Sequence, residues 1–241
     1  MPKVQQKLTQ KFERWHKTWI KYNPEWEYKL WTDADNLKLV ETDYAWFLET
    51  YNGFDRNIER ADAVRYMYMH KLGGVYADLD VECLKPMDEL TSCGGLIMPL
   101  MSDEYGFEHN VPNAWLASSP GHPFWIDMLK SIQASSKGGD AGSVESITGP
   151  VRLYHSLARY RQLPGEHAPI IYAKEGLIFP FDWHRSVKFA EFCSAQLDSF
   201  DDAACKAEIA LVYPNAYSIT YWSHSWGDDH SLANLDVEGS H

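Results

Sequence analysis

Gly73-Gly74-Val75-Tyr76-Ala77-Asp78-Leu79-Asp80 reads as an apolar strand that delivers two carboxylates to one face. In extended backbone alternate side chains point the same way, so Tyr76, Asp78 and Asp80 share one face while Val75, Ala77 and Leu79 bury the other. Two acids so close repel unless a cation or hydrogen-bond donors neutralise them, and hard oxygen ligands suit Mg²⁺ or Mn²⁺. A metal held this way keeps positions open for substrate phosphates. The plain alternative is a strand that ends in solvated aspartates, ordinary in a chain with 34 acidic residues. A bare D-x-D does not choose between the two.

The residues just upstream supply context. From Asn57 to Leu72 apolar side chains at Ile58, Ala61, Tyr66, Met69 and Leu72 follow a helical period, and Gly73-Gly74 supplies a left-handed stop. A helix therefore runs straight into the D-x-D strand. Asp62 and Arg65, spaced i, i+3, are close enough to pair with each other on the surface or to grip a polyhydroxyl ligand together.

These residues carry a family resemblance. The run Ala61-Asp62-x-x-Arg65-Tyr66, then Gly73-Gly74-x-Tyr76-x-Asp78-x-Asp80, then Lys85-Pro86-Met87-Asp88, resembles the D-x-D sugar-binding region of glycosyltransferase family 32. That group includes capsular-polysaccharide transferases and fungal mannosyltransferases, and its core is similar to that of the clostridial glucosylating toxins. Upstream, Trp19-x-x-x-Asn23-Pro24-Glu25-Trp26-Glu27-Tyr28-Lys29-Leu30-Trp31 resembles the family's segment before the second strand; downstream, Thr148-Gly149-Pro150 and Ser225-Trp226 have counterparts. The likeness is dense up to residue 90 and sparse afterwards.

The resemblance implies an α/β chain of the nucleotide-sugar transferase type called GT-A, an open mixed sheet flanked by helices with ligands gathered beyond the strands' carboxyl ends. It implies a metal-dependent, retaining transfer of a sugar from a UDP- or GDP-linked donor to a hydroxyl of a glycan or other acceptor. Asp80 is then a direct ligand of Mn²⁺ (or Mg²⁺), Asp78 meets the metal through water or holds the donor's ribose, and Tyr76 joins them in binding substrate. Asp62 and Arg65 hold the transferred sugar's hydroxyls, and Ser225 and Trp226 close over the donor. Two departures stand out. Such transferases open with a strand reading like I-P-K-I-I-H-Q-x-W, whereas this chain starts Met1-Pro2-Lys3-Val4-Gln5-Gln6, so the first strand reads as missing or altered. The family's H-H-W-x-x-S-W ending is here Thr220-Tyr221-Trp222-Ser223-His224-Ser225-Trp226, which displaces the histidine and makes His224 the candidate third ligand.

Composition fits a single domain over residues 1–241. With 45% hydrophobic residues, 10 tryptophans and 14 tyrosines, the chain can bury one sizeable core. A net charge of −12 without clustered Lys and Arg argues against nucleic acid as a partner. Cys83, Cys93, Cys193 and Cys205 show no C-x-x-C spacing and read as reduced thiols. No apolar run reaches membrane-span length, and the polar start lacks the apolar stretch of a signal peptide, so the expected placement is cytoplasmic. Eukaryotic relatives in the family are often held in the Golgi by an N-terminal helix, so an anchored form stays open.

Along the chain helices and strands alternate. Leu8, Phe12, Trp15 and Trp19 mark the buried face of an opening helix; Trp26, Tyr28 and Leu30 alternate as a short strand; a second helix covers about Asp35 to Thr50. Further strands are expected at Gly95–Pro99, Ala114–Ala117, Ile170–Tyr172 and Leu211–Tyr213. Helices are expected from His122-Pro123 to about Gln133 and from Pro150, with Val151, Tyr154, Leu157 and Ala158 inward. Gly138 to Ser143 reads as a mobile loop near the site.

Three rival classes compete with transfer. A glycoside hydrolase needs two carboxylates several ångströms apart across a bond, not two residues apart on one strand. A phosphotransferase or nuclease would bring a phosphate loop or basic patches, and neither is present in the sequence. The alternative motivated by the departures is a catalytically degraded relative that binds carbohydrate or a protein partner.

Overall fold

The structure is a computed structural model; it describes residues 8–102, 106–137, 142–164, 168–181, 189, 193–195 and 200–223. Helix α1 (Gln10–Tyr22) is capped by Thr9 and buries Trp15 completely. α2 (Asp33–Asp43) starts with a capping box in which Thr32 and Asp35 exchange side-chain to backbone hydrogen bonds. It stops at Tyr44, and a short 3₁₀ turn leads to α3 (Leu48–Gly53). The single helix expected over 35–50 is thus two helices with a break. The break lets Tyr44 turn inward, where its hydroxyl donates to the Met67 carbonyl at 3.1 Å.

Helix α4 (Asn57–Lys71) matches its sequence reading closely. It is buried around most of its girth, with nine consecutive or neighbouring positions enclosed, Glu59, Asp62 and Arg65 among them. Gly73 ends it at φ +66°, and a Cβ there would stand 2.6 Å from the Pro120 nitrogen and 2.7 Å from the Ser118 carbonyl oxygen. Only glycine satisfies both the left-handed backbone and that contact.

Four strands form the main sheet in the order β1 (Gly74–Ala77), β4 (Trp115–Ser118), β3 (Leu96–Pro99) and β5 (Ile170–Ala173). The β1–β4 and β4–β3 pairs are antiparallel and β3–β5 is parallel, so the sheet is mixed and open. Its two faces bury different sets. Leu96, Met98 and Leu116 pack toward α4, α6 (Phe124–Lys137) and α8 (Pro150–Tyr160). Ile97, Trp115 and Ala117 face a second cluster with Val81, Met87 and Phe179. Between these elements lie the short helices α5 (Asp88–Thr91) and α7 (Val144–Ile147). A separate two-stranded ribbon joins β2 (Val81–Cys83) to β6 (Ser218–Thr220), with α9 (Asp202–Val212) packed nearby through Cys205 and Ile209. The described structure is the α/β class with an open mixed sheet flanked by helices.

Several local expectations need correction. The D-x-D strand stops at Ala77, three residues early. Residues 26–30 find no partner strand among the described residues; Trp26 instead donates to Asp88 and Lys29 lies over the Trp31 ring. Leu211 and Val212 end a helix, since the Asp201 cap and the Ala-rich run behind it outweigh their β-branched neighbours. The inner face of α8 carries Leu153, Ser156, Leu157 and Tyr160, so only Leu157 of the four expected residues is fully enclosed. Cys193 and Cys205 form a disulfide, while Cys83 and Cys93 are free thiols. Residues 1–7, on which the missing first strand depends, and 138–141 of the expected mobile loop lie outside the described residues.

Candidate functional site

Asp78 and Asp80 meet through a turn rather than along a strand. The Asp78 amide still donates to Ala114 at 2.8 Å, which extends the β1–β4 ladder by one step, and the Val81 amide then closes back onto the Asp78 carbonyl at 3.0 Å. Asp78 Oδ1 accepts from the Tyr76 hydroxyl at 2.5 Å and lies 3.5 Å from Arg65 Nη1. Asp80 Oδ2 accepts from both the amide and the hydroxyl of Ser223, at 2.9 and 2.8 Å. Each acid thereby commits one oxygen, and Asp78 Oδ2 and Asp80 Oδ1 take no hydrogen bond among the described residues. Burial pushes the Asp78 carboxyl up to about 6, with Arg65 opposing the rise and the Asp80 charge adding to it.

The helix pair is not on the surface. Asp62 is 3% and Arg65 4% exposed, so the solvated ion-pair alternative is excluded. Arg65 Nη2 lies 3.2 Å from Asp62 Oδ1 and Nη1 donates to the Asn113 carbonyl at 2.8 Å. Its guanidinium also sits 5.0 Å from the centre of the Tyr76 ring. Asp62 Oδ1 accepts from Asn113 Nδ2 at 2.9 Å and Oδ2 from the Thr148 hydroxyl at 2.8 Å. Tyr66 closes the network, receiving from Asn113 and donating to the Thr148 carbonyl. Burial raises the Asp62 carboxyl's pKa, against the pull of Arg65 and the hydrogen bonds from Thr148 and Asn113. Burial lowers that of Arg65, but Asp78, Tyr76 and Asp62 more than restore it, so the guanidinium stays charged. Arg65 Nε is the exception in this network: it is buried and has no partner among the described residues.

All of these acids border one cavity of about 1050 Å³. Trp19, Trp26, Tyr28, Trp31 and Tyr68 give it an aromatic wall, and Trp31 stacks on Tyr68 with ring centres 4.2 Å apart. Trp222 closes the wall beside Asp80. It holds φ +46°, a left-handed conformation strained for a bulky residue, while its indole donates to the Phe181 carbonyl at 3.2 Å. The strain aims the following residue, Ser223, at Asp80.

Sequence spacing thus brings Asp62, Arg65, Tyr76, Asp78 and Asp80 to one place. His224, Ser225 and Trp226 lie outside the described residues. Asn113 carries no signal in the sequence reading, and Thr148 and Ser223 appear there only within the Thr-Gly-Pro run and the Thr220–Trp226 run, with no role assigned. Among the described residues no three His, Cys, Asp or Glu side chains gather as a metal cage. Mg²⁺ and Mn²⁺ ordinarily take one or two carboxylates and complete their shell with water and substrate phosphates. The two oxygens that Asp78 and Asp80 leave uncommitted fit that donor set.

Comparisons with known proteins find similarity over the part of the chain that holds the D-x-D segment. Residues 9–94 match the model described as a glycosyltransferase sugar-binding region containing a DXD motif. Inositol phosphoceramide mannosyltransferase 3 of Schizosaccharomyces pombe is 34% identical over 65% of this chain and 44% of its own length. The initiation-specific alpha-1,6-mannosyltransferase of Candida albicans is 28% identical over 91% of this chain and 68% of its own. Among solved structures the PaToxG glycosyltransferase aligns with a TM-score of 0.49 and 14% identity, over 65% of this chain and 66% of its own. The chain spans under half the length of the fission-yeast relative. Over residues 9–94 it carries the sugar-binding region of the DXD-containing glycosyltransferases, the region whose D-x-D segment resembles glycosyltransferase family 32.

Proposed function

We propose that this chain is a metal-dependent, retaining glycosyltransferase that moves a hexose, mannose first among candidates, from a nucleoside-diphosphate sugar to a hydroxyl of a glycan or lipid-linked acceptor. The observation that carries this is the meeting, on one cavity wall, of a buried Asp62–Arg65 pair with two acids that each keep one oxygen uncommitted. Both relatives' names support the choice of mannose, and the fission-yeast relative's name also supports an inositol-phosphate-containing acceptor.

Asp80 and Asp78 are the residues that hold Mn²⁺ or Mg²⁺ in this reading. When bound, the cation supplies positive charge at the diphosphate, where negative charge builds on the departing nucleotide. Arg65 adds a fixed cation close to Asp78. Asp62 accepts from sugar hydroxyls while Thr148 and Asn113 hold it in place, so part of the sugar's orientation is built before binding. Trp222 and the adjoining aromatic wall exclude water from the same space.

A disulfide between Cys193 and Cys205 supports an oxidising compartment, which suits a Golgi-type placement better than the cytoplasm. No helix among the described residues is long and apolar enough to cross a membrane.

Nucleotide release from GDP-mannose and from UDP-glucose, followed with Mn²⁺ and again after chelation, tests the function. Turnover that needs the metal supports it. Nucleotide binding without turnover of any donor would favour a degraded binding relative instead.

A further inference from the structure

One carboxylate on the cavity wall is used by nothing described so far. Glu145, in the first turn of α7, lines the cavity and makes no hydrogen bond or ion pair among the described residues. Its neighbour across the backbone is Asp62. Gly149 lies between them: a Cβ on that buried glycine would stand 2.8 Å from Glu145 Cα and 3.5 Å from Asp62 Oδ2. The proximity is energetically adverse, because the Glu145 charge works against ionisation of the already buried Asp62. Glu145 is half-buried, and its carboxylate has no hydrogen-bond donor or cation committed to it among the described residues, so it can accept from a ligand in the cavity.

The contacts also give the site a direction. Asp80 leads to Asp78 two residues away, Asp78 to Arg65 at 3.5 Å, Arg65 to Asp62 at 3.2 Å, and Asp62 across Gly149 to Glu145. The phosphate-facing acids stand at one end of this series and Glu145 at the other, with the sugar-facing pair between them. Two further residues of the cavity lining carry an unpartnered polar atom. Arg65, 4% exposed, and Thr220, 2% exposed, line the cavity, and Arg65 Nε and Thr220 Oγ1 are buried with no partner among the described residues.

We propose that Glu145 is the acceptor-binding residue, its carboxylate accepting a hydrogen bond from a hydroxyl of a neutral polyol or sugar acceptor seated beyond Asp62. This rests on the glycosyl-transfer reading. A carboxylate accepts from hydroxyls and repels phosphate, so the contact favours the polyol part of an acceptor over any charged group it carries. The bland competitor is that Glu145 merely places negative charge at the start of a short helix.

The test uses the full chain with Mn²⁺ and GDP-mannose, and takes methyl α-D-mannoside and myo-inositol as acceptor probes. Donor hydrolysis without acceptor is measured first in the wild type, Glu145→Gln and Glu145→Ala. The expected result is hydrolysis and donor KM within about twofold of wild type, with acceptor KM raised about tenfold or more, as for loss of a hydrogen bond to a charged group. An unchanged acceptor KM overturns the proposal, and with a lowered melting temperature it assigns Glu145 to the helix end. An equal rise in donor KM also overturns it, since the contact would then be to the donor sugar. If the wild type releases nucleotide from no donor, the transferase reading falls and takes this assignment with it.

Discussion

Asp62 shows how a single residue can look like surface in the sequence and be the most constrained group in the site. Its i, i+3 partner was legible, but its burial depends on Asn113 and Thr148, which reach it from distant parts of the chain. Replacing it with Asn keeps the shape and inverts the chemistry. The new amide must set an NH₂ against the Asn113 amide and Arg65, or against Thr148, whose hydroxyl alone can rotate to accept. Asp62→Asn is therefore expected to cost about 1–3 kcal/mol of stability. It should also reduce transfer far more than affinity for the bare nucleoside diphosphate. Urea unfolding alongside kinetics reads both; equal losses in the two functional measures would place Asp62 on the nucleotide rather than the sugar. Asp80 behaves oppositely, because it is held by a single residue, Ser223, and faces a like charge. Asp80→Ala should leave the melting temperature near wild type and abolish Mn²⁺-dependent nucleotide binding by calorimetry. Binding at wild-type strength in that variant would remove Asp80 from the metal site.

At the scale of elements, the helix-to-strand junction was readable because each signal is local: a 3.6-residue period, a glycine stop, an alternating strand. The β2–β6 ribbon was not, because each strand has three residues and pairs with sequence more than a hundred positions away. Alternation at Trp26, Tyr28 and Leu30 suggested a strand but could not report that no partner strand among the described residues pairs with it. The contact of Ser223 with Asp80 was hidden for the same reason as the ribbon that delivers it. The junction's two glycines give a clean comparison. Both have positive φ, yet only Gly73 faces backbone atoms, while a Cβ on Gly74 would meet nothing within 4 Å. Gly74→Ala should cost about 1–2 kcal/mol, the conformational strain alone. Gly73→Ala should cost that plus about 1–3 kcal/mol for forcing Pro120 and Ser118 away from the helix end. Similar losses in the two variants by chemical denaturation would mean that the β4 end yields freely, and that the junction is less rigid than its geometry indicates.

Across the whole molecule, a net charge of −12 and an acidic cavity mean that an anionic donor is received by local cationic groups rather than by a general field. What holds those groups in register is partly remote. Tyr221 stacks on Trp15 with ring centres 4.5 Å apart and donates to the buried Glu82 at 2.6 Å. The same residue accepts, through its carbonyl, from Ala195 at 2.8 Å. Cys193 and Cys205 are bonded within the same cluster, and Tyr221 lies two residues before the Ser223 clamp on Asp80. The cross-link was not foreseeable from spacing, since the two cysteines are 12 residues apart and fit no motif. Closing a loop of that length stabilises by about 2–3 kcal/mol in the chain-entropy account. The Cys193→Ser, Cys205→Ser double variant, and wild type under reductant, should both lose stability of that order. Because Ser223 reaches Asp80 through the cluster that the disulfide braces, Mn²⁺-dependent nucleotide affinity should fall as well in the folded variant, measured well below its melting temperature. If stability drops but affinity holds, the brace serves folding alone, and β6 keeps Ser223 on Asp80 by its pairing with β2.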